Sequence, residues 1–222
     1  MSIKILMVGR RRPGQTLMEH RTHMKDVHGR LVLDYIAAEP ENAPRRYVQN
    51  HVFDGIYPGG EGLADVFTFG PDFVTEVWFP DLAALKASRE TAFYRMNLLP
   101  DEPRMVDGAR VIGIPSTEEV VRAPEASARN HVKVFVFWHS GPAEVAALLE
   151  ALGAAAVSAL GHCRSTPAVP SPVKAVDAFW LANEETGQVF AQDLREAVLH
   201  RLPAGQGSIS IALAREYVLH AG

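Results

Sequence analysis

Two parts of this chain repeat one pattern of strand-forming residues, and this repeat constrains the fold more than any other feature. Residues 3–8 (IKILMV) and 132–137 (VKVFVF) are both apolar, β-rich runs, and a Gly/Pro pair follows each within a few residues. Later, 76–79 (EVWF) and 178–181 (AFWL) match in the same order. Self-similarity at about half the chain length indicates an internal duplication, with the second copy shorter than the first.

Each copy has the pattern strand–helix–strand–strand–helix–strand. In the first copy, Thr16 and Glu19 have the capping-box spacing, which predicts a helix from about residue 17. Asp81 can begin a second helix that continues to about residue 95. Helices are predicted in the second copy over 144–160 and after Asn183. The predicted strands lie at 3–9, 45–53, 74–79, 104–114, 132–139, 162–166, 174–182 and 207–217. The polar stretch 116–129 predicts a linker between domains 1–115 and 130–222.

The strands are apolar on both faces, so both faces must be covered. Ile5 alternates with Leu6 in the first copy, and Val134 alternates with Phe135 in the second. Two helices cover only one face of a four-stranded sheet. We therefore expect an α+β fold in which the two copies pair sheet to sheet as an intramolecular α/β barrel, with the helices outside.

Composition excludes several classes of protein. The 222 residues are 47% hydrophobic and 22% charged, which is typical of a globular protein. Both signs of charge are interspersed at a net charge of -4, which predicts no nucleic-acid partner. No apolar run approaches the roughly 20 residues of a membrane helix. One cysteine, Cys163, and an N-terminus without the features of a signal peptide predict a cytoplasmic protein.

Four segments resemble a known family. The segments 11–14 (RRPG), 27–32 (VHGRLV), 46–51 (RYVQNH) and 76–79 (EVWF) occur in this order. They resemble the signature of EthD-domain proteins, named for ethyl tert-butyl ether degradation, in the dimeric α/β-barrel superfamily. The resemblance covers 3–114 and fades over 131–222, where the strand pattern and Trp180 remain. It implies ferredoxin-like βαββαβ halves paired into a barrel, here as a tandem copy.

The resemblance leaves the chemistry open. Similar proteins include cofactor-free isomerases, dehydratases and cyclases that act on lactones, aromatic rings or polyketides. Others are quinone-forming monooxygenases. A shared fold does not choose among these activities.

His28 is the candidate catalytic residue. His20, Met24 and His28 share one stripe of the first predicted helix, which faces the sheet. An imidazole in an apolar groove suits proton transfer, and Gly29 beside it permits a close approach to the backbone. The alternative is a core histidine that bonds to a backbone carbonyl. The second-copy helix over 144–160 lacks His, Arg and Tyr, which predicts one site per chain, in the first half.

Other side chains could bind the substrate. Tyr47 and His51 alternate with Asn50 along the strand 45–53, so at least one hydrogen-bonding side chain enters a buried layer. Trp78 could form a flat wall, although sheet core is its alternative role. The predicted substrate-binding residues are His20, Met24, Tyr47, Asn50, His51 and Trp78.

No metal or cofactor is predicted. His20 and His28 are about 12 Å apart on a helix, too far to share one ion, and HExxH spacing is absent. The glycine-rich stretch 59–62 lies between strands rather than between a strand and a helix, so it does not indicate a phosphate-binding loop.

These observations predict a cofactor-independent enzyme for a small apolar, aromatic or polyketide-like molecule. His28 would transfer a proton in an isomerisation, dehydration or cyclisation. The alternatives are a cofactor-free monooxygenase, or a non-catalytic binding protein for a hydrophobic metabolite in a degradation pathway. Further homodimerisation is left open.

Overall fold

The computed structural model describes residues 2–58, 62–124, 131–139, 159–201 and 209–222. Within them the strands are β1 (Ile3–Arg11), β2 (Arg46–Ile56), β3 (Phe73–Phe79), β4 (Val106–Arg122), β5 (Val132–Trp138), β6 (Gly161–Pro167), β7 (Ala175–Leu181) and β8 (Ile209–His220). The α-helices are α1 (Leu17–Thr22), α2 (Gly29–Ala38), α3 (Asp65–Phe69), α4 (Leu82–Ser88), α5 (Glu102–Met105) and α6 (Glu184–Arg201), and π-helical segments cover His23–His28 and Tyr94–Leu98. The predicted mixture of helices and strands is confirmed.

Local sequence signals placed most of these elements. Thr16 Oγ1 accepts a hydrogen bond from the N–H of Glu19, and the Glu19 carboxylate accepts from the N–H of Thr16, as a capping box requires. The helix that follows is not uniform, because the π-helical segment His23–His28 separates α1 from α2. The predicted helix 82–95 ends early, at Ser88. The predicted second-copy helix falls outside the described residues over 144–158.

The described chain divides into two compact units, and the first consists of Met1–His51, Pro71–Thr117 and Glu216–Gly222. Its sheet has the order β4-β1-β3-β2, and β1 is antiparallel to both β3 and β4. One face of the sheet packs against the helices through an apolar core in which Val32, Tyr35 and Leu98 meet Tyr47. Every element of the candidate site described below belongs to this unit.

The opposite face of the first unit's sheet carries a buried ion pair. Lys4 Nζ lies 2.5 Å from Glu76 Oε2, and both side chains are 1% exposed. Asn50 Nδ2 donates to Glu76 Oε1 and to the carbonyl of Val74, at 2.9 Å in each case. Charges at this depth are tolerated only when they are paired and hydrogen-bonded. Glu76 meets this requirement through its ion pair with Lys4 and its hydrogen bond from Asn50.

The second unit consists of Val52–Gly70 and Glu118–Arg215. Four of its strands lie in the order β8-β5-β7-β6. An apolar core between these strands and α6 contains Val134, Phe179 and Leu194. Within this sheet Asp177 is fully buried and accepts hydrogen bonds from three side chains. These are Trp138 Nε1 at 2.7 Å, His162 Nε2 at 2.6 Å and Arg164 Nε at 3.0 Å.

The unit boundaries do not follow the predicted division at 116–129. Strand β4 continues to Arg122, and β2, β4 and β8 each contribute residues to both units. Pro115, which lies next to the predicted linker, is a strand residue opposite Ile5. A proline is tolerated in a strand where its missing N–H is not needed for pairing. The residues 125–129 lie outside the described part of the chain.

No helix in the described residues combines the length and the apolar character needed to cross a bilayer.

Candidate functional site

A cavity of about 300 Å³ lies in the first unit, between the sheet and the helices. Apolar side chains form most of its wall. They include Ile5, Met7, Val32, Val77, Phe79, Leu85 and Leu98. Hydrogen-bonding side chains enter the same wall, among them those of His28, Tyr47, Thr75, Arg89, Tyr94 and Glu102. An apolar hollow with a few polar groups is the usual construction of a small-molecule site.

A second cavity, also about 300 Å³, adjoins the first. The residues that line both cavities are Met7, His28, Thr75, Arg89 and Glu102. The second cavity extends toward His20, Met24 and apolar residues at the start of β4. Polar groups are therefore concentrated where the cavities share a wall, and apolar surface extends away on both sides.

His28 stands at this shared wall and is held by a carboxylate. Its Nδ1 lies 3.1 Å from Asp101 Oδ2, and His23 Nε2 lies 2.9 Å from Asp101 Oδ1. Asp101 is only 4% exposed. Burial raises the pKa of Asp101, but the hydrogen bonds from His28 and His23 outweigh burial and hold it below its usual value. An ionised Asp101 only accepts, so Nδ1 of His28 carries hydrogen and Nε2 is the basic nitrogen of the neutral ring.

The π-helical segment His23–His28 fixes how this part of the helix meets the sheet. Gly29 N–H bonds to the carbonyl of Met24, and Gln49 Nε2 donates to the same carbonyl at 2.7 Å. A Cβ on residue 29 would lie 3.3 Å from Gln49 Nε2 and 3.0 Å from Leu219, so the glycine permits this approach. Single π-helical turns within α-helices are frequent at functional sites.

Tyr94, Glu102 and Arg89 form a second polar group in the wall of the first cavity. Tyr94 O–H donates to Glu102 Oε1 at 2.5 Å, and Arg89 Nε donates to the Tyr94 hydroxyl at 3.1 Å. Burial, and then the neighbouring Glu102, raise the pKa of Tyr94 to about 12. The single hydrogen of the Tyr94 phenol is used by Glu102, so the Arg89 guanidinium is the member of this group that can stabilise negative charge on a ligand oxygen.

Tyr47 is oriented by Gln49. The amide of Gln49 donates to the Met24 carbonyl, which accepts only, and this determines which end of the amide faces Tyr47. Gln49 Nε2 also donates to the Tyr47 hydroxyl at 2.5 Å. The hydroxyl is an acceptor in that bond, so its own hydrogen remains to be donated elsewhere. Burial raises the pKa of Tyr47, so the phenol keeps this hydrogen.

The part of the chain that holds this site matches a known family model. Residues 12–109 match the model of the EthD domain. This region is an EthD domain. The predicted resemblance is confirmed over these residues, which include every hydrogen-bonding group of the cavities named above. No curated protein matches the sequence of the chain.

Solved structures resemble the whole chain in fold. An anthrone oxidase-like protein superposes with a TM-score of 0.60 at 7% identity and covers 99% of this chain and 94% of its own. A "putative monooxygenase" from Fusobacterium nucleatum superposes with a TM-score of 0.55 at 7% identity, and the match covers 97% of this chain and 92% of its own. A chlorite dismutase mutant from Candidatus Nitrospira defluvii superposes with a TM-score of 0.53 at 10% identity, and the match covers 98% of this chain and 91% of its own. At these identities the likeness concerns the fold alone.

The EthD domain brings together only some of the predicted site residues. His28 lines both cavities, Tyr47 lines the first, and His20 and Met24 line the second. Three predicted residues line neither. They are Asn50, His51 and Trp78.

Strand geometry explains where those three side chains lie. Asn50 and Trp78 point to the face of the sheet opposite the cavities, because alternate residues of a strand face opposite ways. There Asn50 bonds to Glu76, and the Arg46 guanidinium lies 4.6 Å from the Trp78 ring centre. His51 is on the helix side, but its ring packs 4.7 Å from that of Tyr217.

Several polar residues of the site were not predicted. They include Thr75, Arg89, Tyr94, Asp101 and Glu102. The residues 82–95 carry the pattern of a plain helix, and the turn before β4 has no local pattern that indicates a role. The adjacent acids Asp101 and Glu102, placed just before Pro103, were the available signal. Among the described residues, no group of three or more His, Cys, Asp or Glu side chains is arranged to hold a metal ion.

The EthD domain should lose stability in mild acid through His51. Burial first, and then the positive charge of Arg21, lower the pKa of His51 to about 4. The unfolded value is about 6.5, so between these values the unfolded chain binds more protons and stability falls as the pH falls. The natural protein should lose up to about 3 kcal/mol of unfolding free energy through His51 between pH 6.5 and 4, and His51→Gln should not show this loss. Urea unfolding at several pH values measures it, with the exposed His200→Gln as control; equal slopes in both variants would contradict the prediction.

Proposed function

We propose that the EthD domain is a cofactor-independent enzyme that transfers protons on a small apolar, aromatic or polyketide-like carbonyl compound. One observation carries the proposal. His28 lines both cavities, and its Nδ1 is held by the buried carboxylate of Asp101. A base oriented by a carboxylate and adjoining an apolar hollow is the arrangement that general base catalysis requires.

The reaction begins at a C–H bond next to the substrate carbonyl. His28 Nε2 removes the proton, and the electron pair of the C–H bond moves to the carbonyl oxygen as an enolate. Arg89 stabilises the charge on that oxygen, because its guanidinium lines both cavities and has N–H groups besides the one that it donates to Tyr94. Return of the proton to another carbon completes an isomerisation. Loss of hydroxide completes a dehydration, and attack on a second carbonyl completes a cyclisation.

The internal repeat supports one site per chain. Lys4 pairs with Trp78 in the first unit, and Lys133 pairs with Trp180 in the second, each ammonium lying over the paired ring. The orders β4-β1-β3-β2 and β8-β5-β7-β6 also correspond, which favours two tandem ferredoxin-like copies. By the same registers Asp177 corresponds to Thr75 of the cavity wall. The second copy thus has an ion-paired carboxylate at a position where the first has a cavity-lining hydroxyl.

A cofactor-free monooxygenase is the second candidate. The enolate formed by His28 is electron-rich and could itself reduce oxygen. The fold is shared with proteins whose names are anthrone oxidase-like and monooxygenase, although this likeness does not choose the reaction. Oxygen consumption separates this candidate from the first.

The experiment uses 2-tetralone, an apolar bicyclic ketone with acidic C–H bonds, in deuterated buffer. We expect the protein to accelerate the replacement of hydrogen by deuterium beside the carbonyl, which proton NMR measures. An oxygen electrode should record no oxygen uptake during this exchange. Oxygen consumption together with exchange would replace the first candidate with the monooxygenase. Tight binding with exchange no faster than in buffer, for 2-tetralone and for 1-tetralone, would favour a binding protein instead.

A further inference from the structure

His20 is held in one tautomer by a backbone carbonyl. Its side chain is completely buried, and Nδ1 lies 3.0 Å from the carbonyl oxygen of Met105. A carbonyl oxygen accepts only, so Nδ1 carries the hydrogen of the neutral ring. Burial lowers the pKa of His20, which keeps the ring neutral at ordinary pH. Nε2 therefore presents a lone pair and no hydrogen.

This lone pair has no hydrogen-bond partner among the described residues. The ring of His20 lines the second cavity together with the apolar residues Met24, Phe73, Met105, Val106 and Val111, and the donors elsewhere in that wall, those of Thr75 and Arg89, do not bond to Nε2. Buried acceptors in native proteins are almost always satisfied, and an unsatisfied one calls for an explanation. A ligand that supplies a donor would satisfy this one.

We propose that Nε2 of His20 accepts a hydrogen bond from a hydroxyl group on the ligand, so that the site selects hydroxylated aromatic compounds over their ethers. The inference deepens the proposed function and rests on it for the reacting end of the molecule. His28 lines the same cavity as His20, so one ligand can place its reacting carbon near the first histidine and its hydroxyl at the second. His20 is then a specificity-determining residue and not a proton carrier.

The first test measures binding alone. 2-Naphthol and 2-methoxynaphthalene are nearly isosteric, and only the first can donate a hydrogen bond. By calorimetry the protein is expected to bind 2-naphthol about tenfold more tightly, as a single buried hydrogen bond implies. In His20→Asn the side-chain amide can still donate to the Met105 carbonyl but lacks the distal acceptor, so the two affinities should become similar. Equal affinities in the natural protein, or a preference that His20→Asn retains, would overturn the inference.

The second test needs no substitution. In protein labelled with ¹⁵N-histidine, the Nε2 resonance of His20 should move upfield with 2-naphthol and stay in place with 2-methoxynaphthalene. A resonance that responds equally to both probes would overturn the inference.

The two proposals fail separately. A missing hydroxyl preference, with deuterium exchange of 2-tetralone intact, leaves the proposed function standing and removes the role of His20. A clear preference without any exchange supports the hydroxyl contact and contradicts the proton-transfer function.

Discussion

His28→Ala is expected to slow deuterium exchange of 2-tetralone by about 10²–10⁴-fold, the usual contribution of a general base. The imidazole lies at the shared cavity wall and is oriented by a buried carboxylate. Its side chain is 14% exposed, and its loss removes a single hydrogen bond to Asp101. The free energy of unfolding should therefore fall by about 1.5–3 kcal/mol, the usual contribution of a hydrogen bond to a charged group, and the protein should remain folded.

His23→Ala is the matched control for this prediction. His23 bonds to the other oxygen of Asp101 but lines neither cavity, so it shares the carboxylate and not the substrate space. Its loss should lower the exchange rate by less than about tenfold, through Asp101 alone. If both variants lost the same activity, or if His28→Ala unfolded the protein, His28 would be a structural residue.

Asp177→Ala is expected to cost about 3–5 kcal/mol of unfolding free energy. The carboxylate is fully buried, and its removal leaves Trp138, His162 and Arg164 without their common acceptor. The main cost of breaking a buried, hydrogen-bonded charge network is that its remaining polar groups stay buried without partners. Equilibrium unfolding in urea measures the change, and Asp193→Ala on the exposed face of α6 controls for the loss of one carboxylate.

The effect of Asp177 should depend on pH in a defined direction. Burial raises its pKa, but hydrogen bonds from His162 and Arg164 outweigh burial and hold it below its usual value. A carboxyl whose folded pKa is lowered stabilises the protein above its unfolded pKa of about 3.9, and this contribution disappears as the pH falls through the folded value. The difference between the natural protein and Asp177→Ala should therefore shrink below about pH 4. A difference that is constant from pH 7 to 3 would mean that charge plays no part.

Local sequence patterns were sufficient for most of the elements. The alternation in 3–8 and 132–137 placed β1 and β5, and the capping box at Thr16 placed the start of α1, because these signals depend on neighbours in the chain. The end of β4 was missed, because pairing in a sheet extends a strand beyond what its own residues indicate. The π-helical segment was missed for a similar reason, since a uniform 100° per residue contains no such turn.

The candidate site was only partly predictable. His28 was found because helical spacing put it on the buried stripe, but its partner Asp101 is 73 residues away in the sequence. Strand alternation left both faces of 45–53 open, and only tertiary packing assigned Tyr47 to the cavity and Asn50 to Glu76. Neither contact has a local signal.

By itself the sequence determined that a histidine-bearing helix follows the first strand, and that strands form at 3–8 and 132–137. Periodicity and capping carry this information because they act over a few residues. The tertiary structure alone decided that Asp101 orients His28 and that the Met105 carbonyl fixes the tautomer of His20. Those contacts exist because distant segments return to one place, and the spacing of residues along the chain does not encode where they meet.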